Sequence, residues 1–360
     1  MGQELNKPIL NEKTIDGETK LLRYGMNEIQ GWKKEMEVFN IKKNNIGPNE
    51  NINIFGLFDG HSGKEISQYL SNTFIPELLK NNNFNNGDYS KALIETFNNI
   101  DISLRTEEIN NKLLINSKQN KFKDRKKIKD LYKTIDNKND LTEKEIEQLN
   151  IFMDIIDPIN LEGVFIADYI GSSGIIILIS DKMTYIANAG NSHCIAINKN
   201  LSIINDKNII EQNIYNKNEK KRVKIARGIK YGKEKENDKE NEEYLYMRGF
   251  GNFQYKNNDL INKEGQEIIS IPDIFEIPND SIKYLIICNS GFYEVGNNIN
   301  ENKEKKIANY FIKKFQSEQK KPISEIIGDY LDECIQKIDE KGKNSIDYNL
   351  SCIIVDFINK

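Results

Sequence analysis

Short apolar runs alternate along the chain with stretches whose apolar residues recur every three or four positions. The two periods predict two kinds of element. Runs at 52–58, 163–167, 174–179, 184–189, 284–288 and 351–357 have strand length and are bounded by polar or turn residues. Helical spacing marks 64–79, 92–107, 306–316 and 323–341; in the last, Ile323, Ile326, Ile327, Tyr330, Leu331, Cys334 and Ile338 share one face. Strands cluster in the middle and at the end, with helices in pairs between them. That order predicts an α+β layered domain rather than a doubly wound parallel sheet. Polar runs rich in Asn and Lys at 81–87, 118–144 and 217–243 predict solvated inserts.

Composition narrows the function classes. With 38% hydrophobic residues among 360, the chain has enough apolar side chains for one large core. Its 51 basic and 55 acidic residues are interspersed, a balance that leaves no electrostatic footprint for nucleic acid. Cys194, Cys288, Cys334 and Cys352 are scattered without a CxxC pair and sit in apolar surroundings, which predicts buried reduced thiols and a cytoplasmic protein. No apolar segment follows Met1, and the run at 174–179 is too short to cross a bilayer. Gly2 meets the first requirement for N-myristoylation, although Asn6 stands where Ser or Thr is preferred. One acyl chain would give at most weak membrane tethering.

The densest candidate chemistry lies where the first apolar run stops, at Asp59-Gly60-His61-Ser62-Gly63. An acid there can hold a metal, and Gly60 lets the backbone approach it. An ordinary turn after a buried strand is the competing reading, and further carboxylates converging on Asp59 would decide between them. A calcium loop at 136–147 is the other metal candidate, with Asp136, Asp140 and Glu147 at positions 1, 5 and 12. Lys138 at position 3 and Leu141 at the turn glycine argue against it. Thr142 and Glu145 fit a helix capping box better.

Several segments in order carry a resemblance. Residues 22–25 and 30–37 are similar to the opening strands of type 2C protein phosphatases, the metal-dependent PPM family. Asp59-Gly60-His61-Ser62-Gly63 resembles its DGHGG signature, Gly171-Ser172-Ser173-Gly174 its GSTA segment, and residues 189–193 its GDSR segment. Residues 248–253 resemble SRxLGDF, 288–295 resemble ASDGLWDV, and 348–351 resemble the terminal DNMS. The resemblance implies an α+β fold, a layered β-sandwich of two antiparallel sheets flanked by helices. Residues 18–358 would form the single phosphatase-like domain, after an N-terminal arm at 1–17. It also implies two divalent metals, Mg or Mn, sharing a water that attacks a phosphoserine or phosphothreonine.

Carried over by position, Asp59 matches the bridging aspartate, Gly60 the carbonyl ligand, Glu37 the glutamate that completes the site, and Asp168 an accessory metal aspartate. His61 matches the histidine that protonates the leaving oxygen, and Lys33 stands for the arginine that grips the phosphate. Other matched positions depart from the pattern. Val38, Ser290 and Tyr348 replace metal-site acids, and Asn191 and Asn252 replace two further aspartates. Serine and tyrosine are neutral at pH 7 and cannot balance two divalent cations. The expectation is therefore a pseudophosphatase with weak or absent Mg or Mn, acting on a phosphoprotein or other protein partner by binding. The alternative is an active phosphatase with a rebuilt metal site that draws on Asp168, Asp206 or Asp347. His193, at an arginine position, is expected to be structural.

Overall fold

The computed structural model describes residues 8–47, 51–114, 165–204, 222, 247–295, 303–341 and 348–358. Its strands are β1 (Lys13–Glu18), β2 (Leu22–Ile29), β3 (Val38–Ile46), β4 (Ile52–His61), β5 (Gly171–Ile179), β6 (Met183–Ala189), β7 (His193–Asn198), β8 (Phe250–Gly251), β9 (Asp273–Pro278), β10 (Ile282–Cys288) and β11 (Leu350–Phe357). One sheet runs β1-β2-β11-β10-β7 and the other β3-β4-β5-β6-β9, with β8 paired to β5. Every pairing within them is antiparallel. The expected α+β sandwich is what forms.

Strand periodicity divides the apolar residues between two surfaces. Phe55, Leu57, Ile175 and Ile177 face Leu285, Ile287, Ile353 and Val355 across the gap between the sheets. Their neighbours Ile54, Phe58, Ile176 and Leu178 pack outward on the helices α1 (Glu65–Lys80) and α3 (Tyr89–Ser103). Phe58 lies 5.7 Å from Phe74 and 6.0 Å from Phe250 by ring centres. On the other side, α4 (Ser290–Val295), α5 (Lys303–Ser317) and α6 (Ile323–Lys341) cover Ile286, Cys288, Cys352 and Ile354. Both faces of the central strands are thus buried, which is why their sequences are continuous apolar runs rather than alternating ones.

Three sequence expectations need correction. The run at 52–58 does not stop before the acid, because β4 continues through Asp59 and Gly60 to His61. Instead of a strand at 163–167, Ile166–Asp168 forms a 3₁₀ turn, with 163 and 164 outside the described residues. The polar run at 81–87 is not a loose insert. It holds the short helix α2 (Asn82–Asn85), where the Asn81 side chain accepts from the Asn83 amide at 2.8 Å and Phe84 is buried. The inserts at 118–144 and 217–243 (Arg222 apart), the loop at 136–147, Gly2, Asp206 and Asp347 lie outside the described residues. All four cysteines are buried and none is in a disulfide. Among the described residues no helix is long and apolar enough to cross a membrane.

Helix α3 is held at its start by Asp88, whose carboxylate accepts from the Lys91 amide at 3.2 Å. Asp88→Ala is expected to cost about 1 kcal/mol, as other lost N-caps do. Urea denaturation checks this; an unchanged midpoint would deny the cap its role.

Candidate active site

Asp59 shares the face of Phe55 and Leu57 and so ends their row at the rim of the gap between the sheets. Val38 on β3 and Ser173 on β5 are its direct cross-strand partners. The opposite sheet supplies what touches its carboxylate. Ser290 donates its hydroxyl to Asp59 Oδ2 at 3.2 Å, and Asn289 donates its amide at 3.3 Å. Asn289 also braces the backbone around it. Its Nδ2 donates to the Asn349 carbonyl at 2.8 Å, and its Oδ1 accepts from the amides of Phe292 and Ser351 at 3.2 and 3.0 Å. Asn349 continues the brace by accepting from the Glu37 amide at 2.8 Å and donating to the Gln30 and Glu35 carbonyls at 2.7 and 3.1 Å. Loss of hydration pushes the Asp59 carboxyl up to about 6, against the opposing pull of Lys33.

Gly60 donates its amide to the Glu37 carbonyl at 3.0 Å, and Ser67 donates its hydroxyl to the same oxygen at 2.6 Å. A Cβ at position 60 would lie 2.6 Å from Ser67 Oγ and 2.9 Å from the Glu37 and Gly63 carbonyls, so only glycine fits. The Glu37 side chain does not stand alone. Lys33 Nζ is 2.5 Å from its Oε2. Burial raises the Glu37 pKa, Lys33 opposes that, and Glu35 and Glu65 add to it. Glu35 is paired in turn with Lys64 at 2.8 Å.

His61, at the end of β4, has its Nε2 2.5 Å from Asn252 Nδ2. Asn252 sits in the left-handed region at φ 54°, which asparagine tolerates better than most residues. Loss of hydration lowers the His61 pKa to about 3, so the ring is neutral at pH 7. The Asn252 loop is fastened from below by a buried ion pair. Lys256 Nζ lies 2.9 and 2.8 Å from the two Asp101 carboxylate oxygens, and Asp101 also accepts from the Gly251 amide at 2.8 Å.

A family model described as Protein phosphatase 2C matches residues 22–118 and 110–337. The chain belongs to the protein phosphatase 2C family. Two curated relatives from Paramecium tetraurelia, probable protein phosphatases 2C 4 and 2C 2, are each 28% identical. They align over 82% and 83% of this chain and 80% and 82% of their own lengths. A serine-threonine phosphatase 2C from Toxoplasma gondii superposes with a TM-score of 0.58 at 11% identity, covering 97% of this chain and 100% of that one. A second Toxoplasma gondii phosphatase gives 0.57 at 14%, covering 97% and 96%. At such identities these likenesses speak to the fold. Protein phosphatase 2C enzymes are generally dependent on Mg or Mn.

Measured against that family, Asp59, Gly60, Glu37, Lys33 and Ser290 gather at one rim, with Val38 directly opposite Asp59 but buried in the inter-sheet core. Tyr348 packs beside Gly291, where an added Cβ would meet the tyrosine Cβ at 2.6 Å. Asp168 is turned toward Arg105, 3.6 Å away, and its pKa is raised by partial burial. His193 stacks on Tyr293 with ring centres 3.6 Å apart, and loss of hydration lowers its pKa to about 3, which suits a structural residue. Sequence reasoning passed over Asn289, although a buried carboxamide closing the run 284–288 was a visible break in polarity. It also missed Glu65, in the first turn of α1, whose buried Oε2 has no hydrogen-bond partner.

Proposed function

We propose that this member of the protein phosphatase 2C family is catalytically impaired and works by binding a protein partner, phosphorylated or not. The observation that carries this reading is the company Asp59 keeps. Two divalent ions sharing an attacking water need several anionic oxygens around them. Among the described residues, the groups hydrogen-bonded to the Asp59 carboxylate are a hydroxyl and a carboxamide, both donating to it. Val38 adds no oxygen from its side chain, and Tyr348 is a phenol rather than a carboxylate. Among the described residues no three His, Cys, Asp or Glu side chains form a group able to hold a metal. Among the described residues, which do not include Asp206 and Asp347, the donor set does not fit a two-metal centre.

The expected result is that Mn²⁺ leaves hydrolysis of an aryl phosphate and of a phosphothreonine peptide at the level of a metal-free control. Metal-stimulated turnover that Asp59→Ala abolishes would overturn the proposal. The balanced charge supports a protein partner over nucleic acid, and the reduced thiols support a cytoplasmic setting. Acylation at Gly2 would add a weak tether to a membrane, which the mass of the native N-terminus would reveal.

A further inference from the structure

We infer that the chain supplies its own cation to this site, with the Lys33 ammonium standing in for the charge of a divalent ion. This rests on the reading of an impaired metal site and names what neutralises it. Lys33 lies 2.5 Å from Glu37 Oε2, with the two side chains only 22% and 18% exposed. Its charge also bears on Asp59, where it is the strongest influence opposing the effect of burial. The lysine is not a loose surface arm. Gln30 donates to the carbonyls of Lys33 and Lys34 at 2.9 and 2.8 Å, and Asn349 donates to those of Gln30 and Glu35. Those bonds fasten the turn carrying Lys33 to the start of β11.

The neighbouring charges explain why a cation is wanted there. Glu37 and Asp59 put two acids near one rim, and Glu65, whose buried Oε2 has no hydrogen-bond partner, adds repulsion at Glu37. An ammonium offers three donors and one positive charge to such oxygens. A second carboxylate matched to a metal position, Asp168, likewise faces a side-chain cation, Arg105, at 3.6 Å. A divalent ion binding at Glu37 Oε2 must displace Lys33, so the lysine competes with metal for that oxygen.

The test is titration of the full chain with MnCl₂ by calorimetry and by electron paramagnetic resonance of free Mn²⁺. Lys33→Met removes the charge and keeps the stem, and it is expected to bind Mn²⁺ at least about tenfold more tightly than the wild type, the scale of change seen around metal ligands. Lys33→Arg keeps the charge and should show no gain. Lys33→Gln is a second neutral variant; if Lys33→Met does not fold, its melting temperature with and without Mn²⁺ gives the same comparison. Neutral variants that bind no tighter than wild type would overturn the inference, as would an equal gain in Lys33→Arg. Wild-type turnover would instead overturn the proposed function, so the two failures are distinct.

Discussion

Asp101→Ala is expected to destabilise the protein by about 3–5 kcal/mol, the usual cost of leaving one member of a buried ion pair without its partner. Both side chains are 6% exposed. Without Asp101, the Lys256 ammonium keeps the Gly249 carbonyl at 2.8 Å but no opposite charge. The Gly251 amide also loses its acceptor. Desolvation already holds the Lys256 pKa below its ordinary value, and removing Asp101 drives it lower. A lysine whose pKa falls on folding binds its proton more tightly when unfolded, so stability rises with pH up to the unfolded value near 10.5. The deficit of Asp101→Ala should therefore shrink from pH 7 to pH 9.5 in urea denaturation. Adding Lys256→Met should recover most of it. A deficit under about 1 kcal/mol, flat across pH, would mean that the pair behaves as an exposed one.

Asp59→Asn is expected to act the other way and stabilise the metal-free protein by about 2–3 kcal/mol at pH 7. Folding moves the Asp59 pKa from 3.8 up to about 6. At pH 7 the carboxylate is ionised in both states, and the folded state bears the cost of burying its charge. Well below pH 3.8 the group is protonated in both, and the difference between variant and wild type disappears. An asparagine carbonyl can still accept from Ser290 and Asn289. Denaturation in a chelator at pH 4, 5.5 and 7 would show the advantage growing with pH. A constant difference, or a loss of stability at pH 7, would show that Asp59 is well compensated by its surroundings.

The central strands were legible because both their faces are buried. The runs ending β4, β5, β10 and β11 leave no polar alternation to misread. What pattern alone did not yield are the edges and one inner strand, β2, whose Arg23, Asn27 and Glu28 interrupt its apolar residues. β1 and β9 alternate with exposed positions, and much of β3 reads as Lys and Asn, because an outer strand has one side open to water. β7, the fourth edge, registered only as an apolar run around Cys194. In the site, the positions of Asp59, Gly60, Glu37 and Ser290 were readable from ordered motifs. The partners were not. Glu37 meeting Lys33 four residues away depends on a turn pinned by Asn349, and Asp168 meeting Arg105 depends on where α3 ends.

Asn289 and Asn349 spend nearly all their hydrogen bonds on main chain. For inheritance this separates two kinds of change. An exchange at either carboxamide undoes loops that hold the two sheets together, so it is purged as a folding defect. An exchange at position 290 removes a side-chain donor to Asp59 and leaves those main-chain bonds in place. A lineage that gave up hydrolysis would still hand down the outline of the catalyst, and its descendants would go on resembling enzymes.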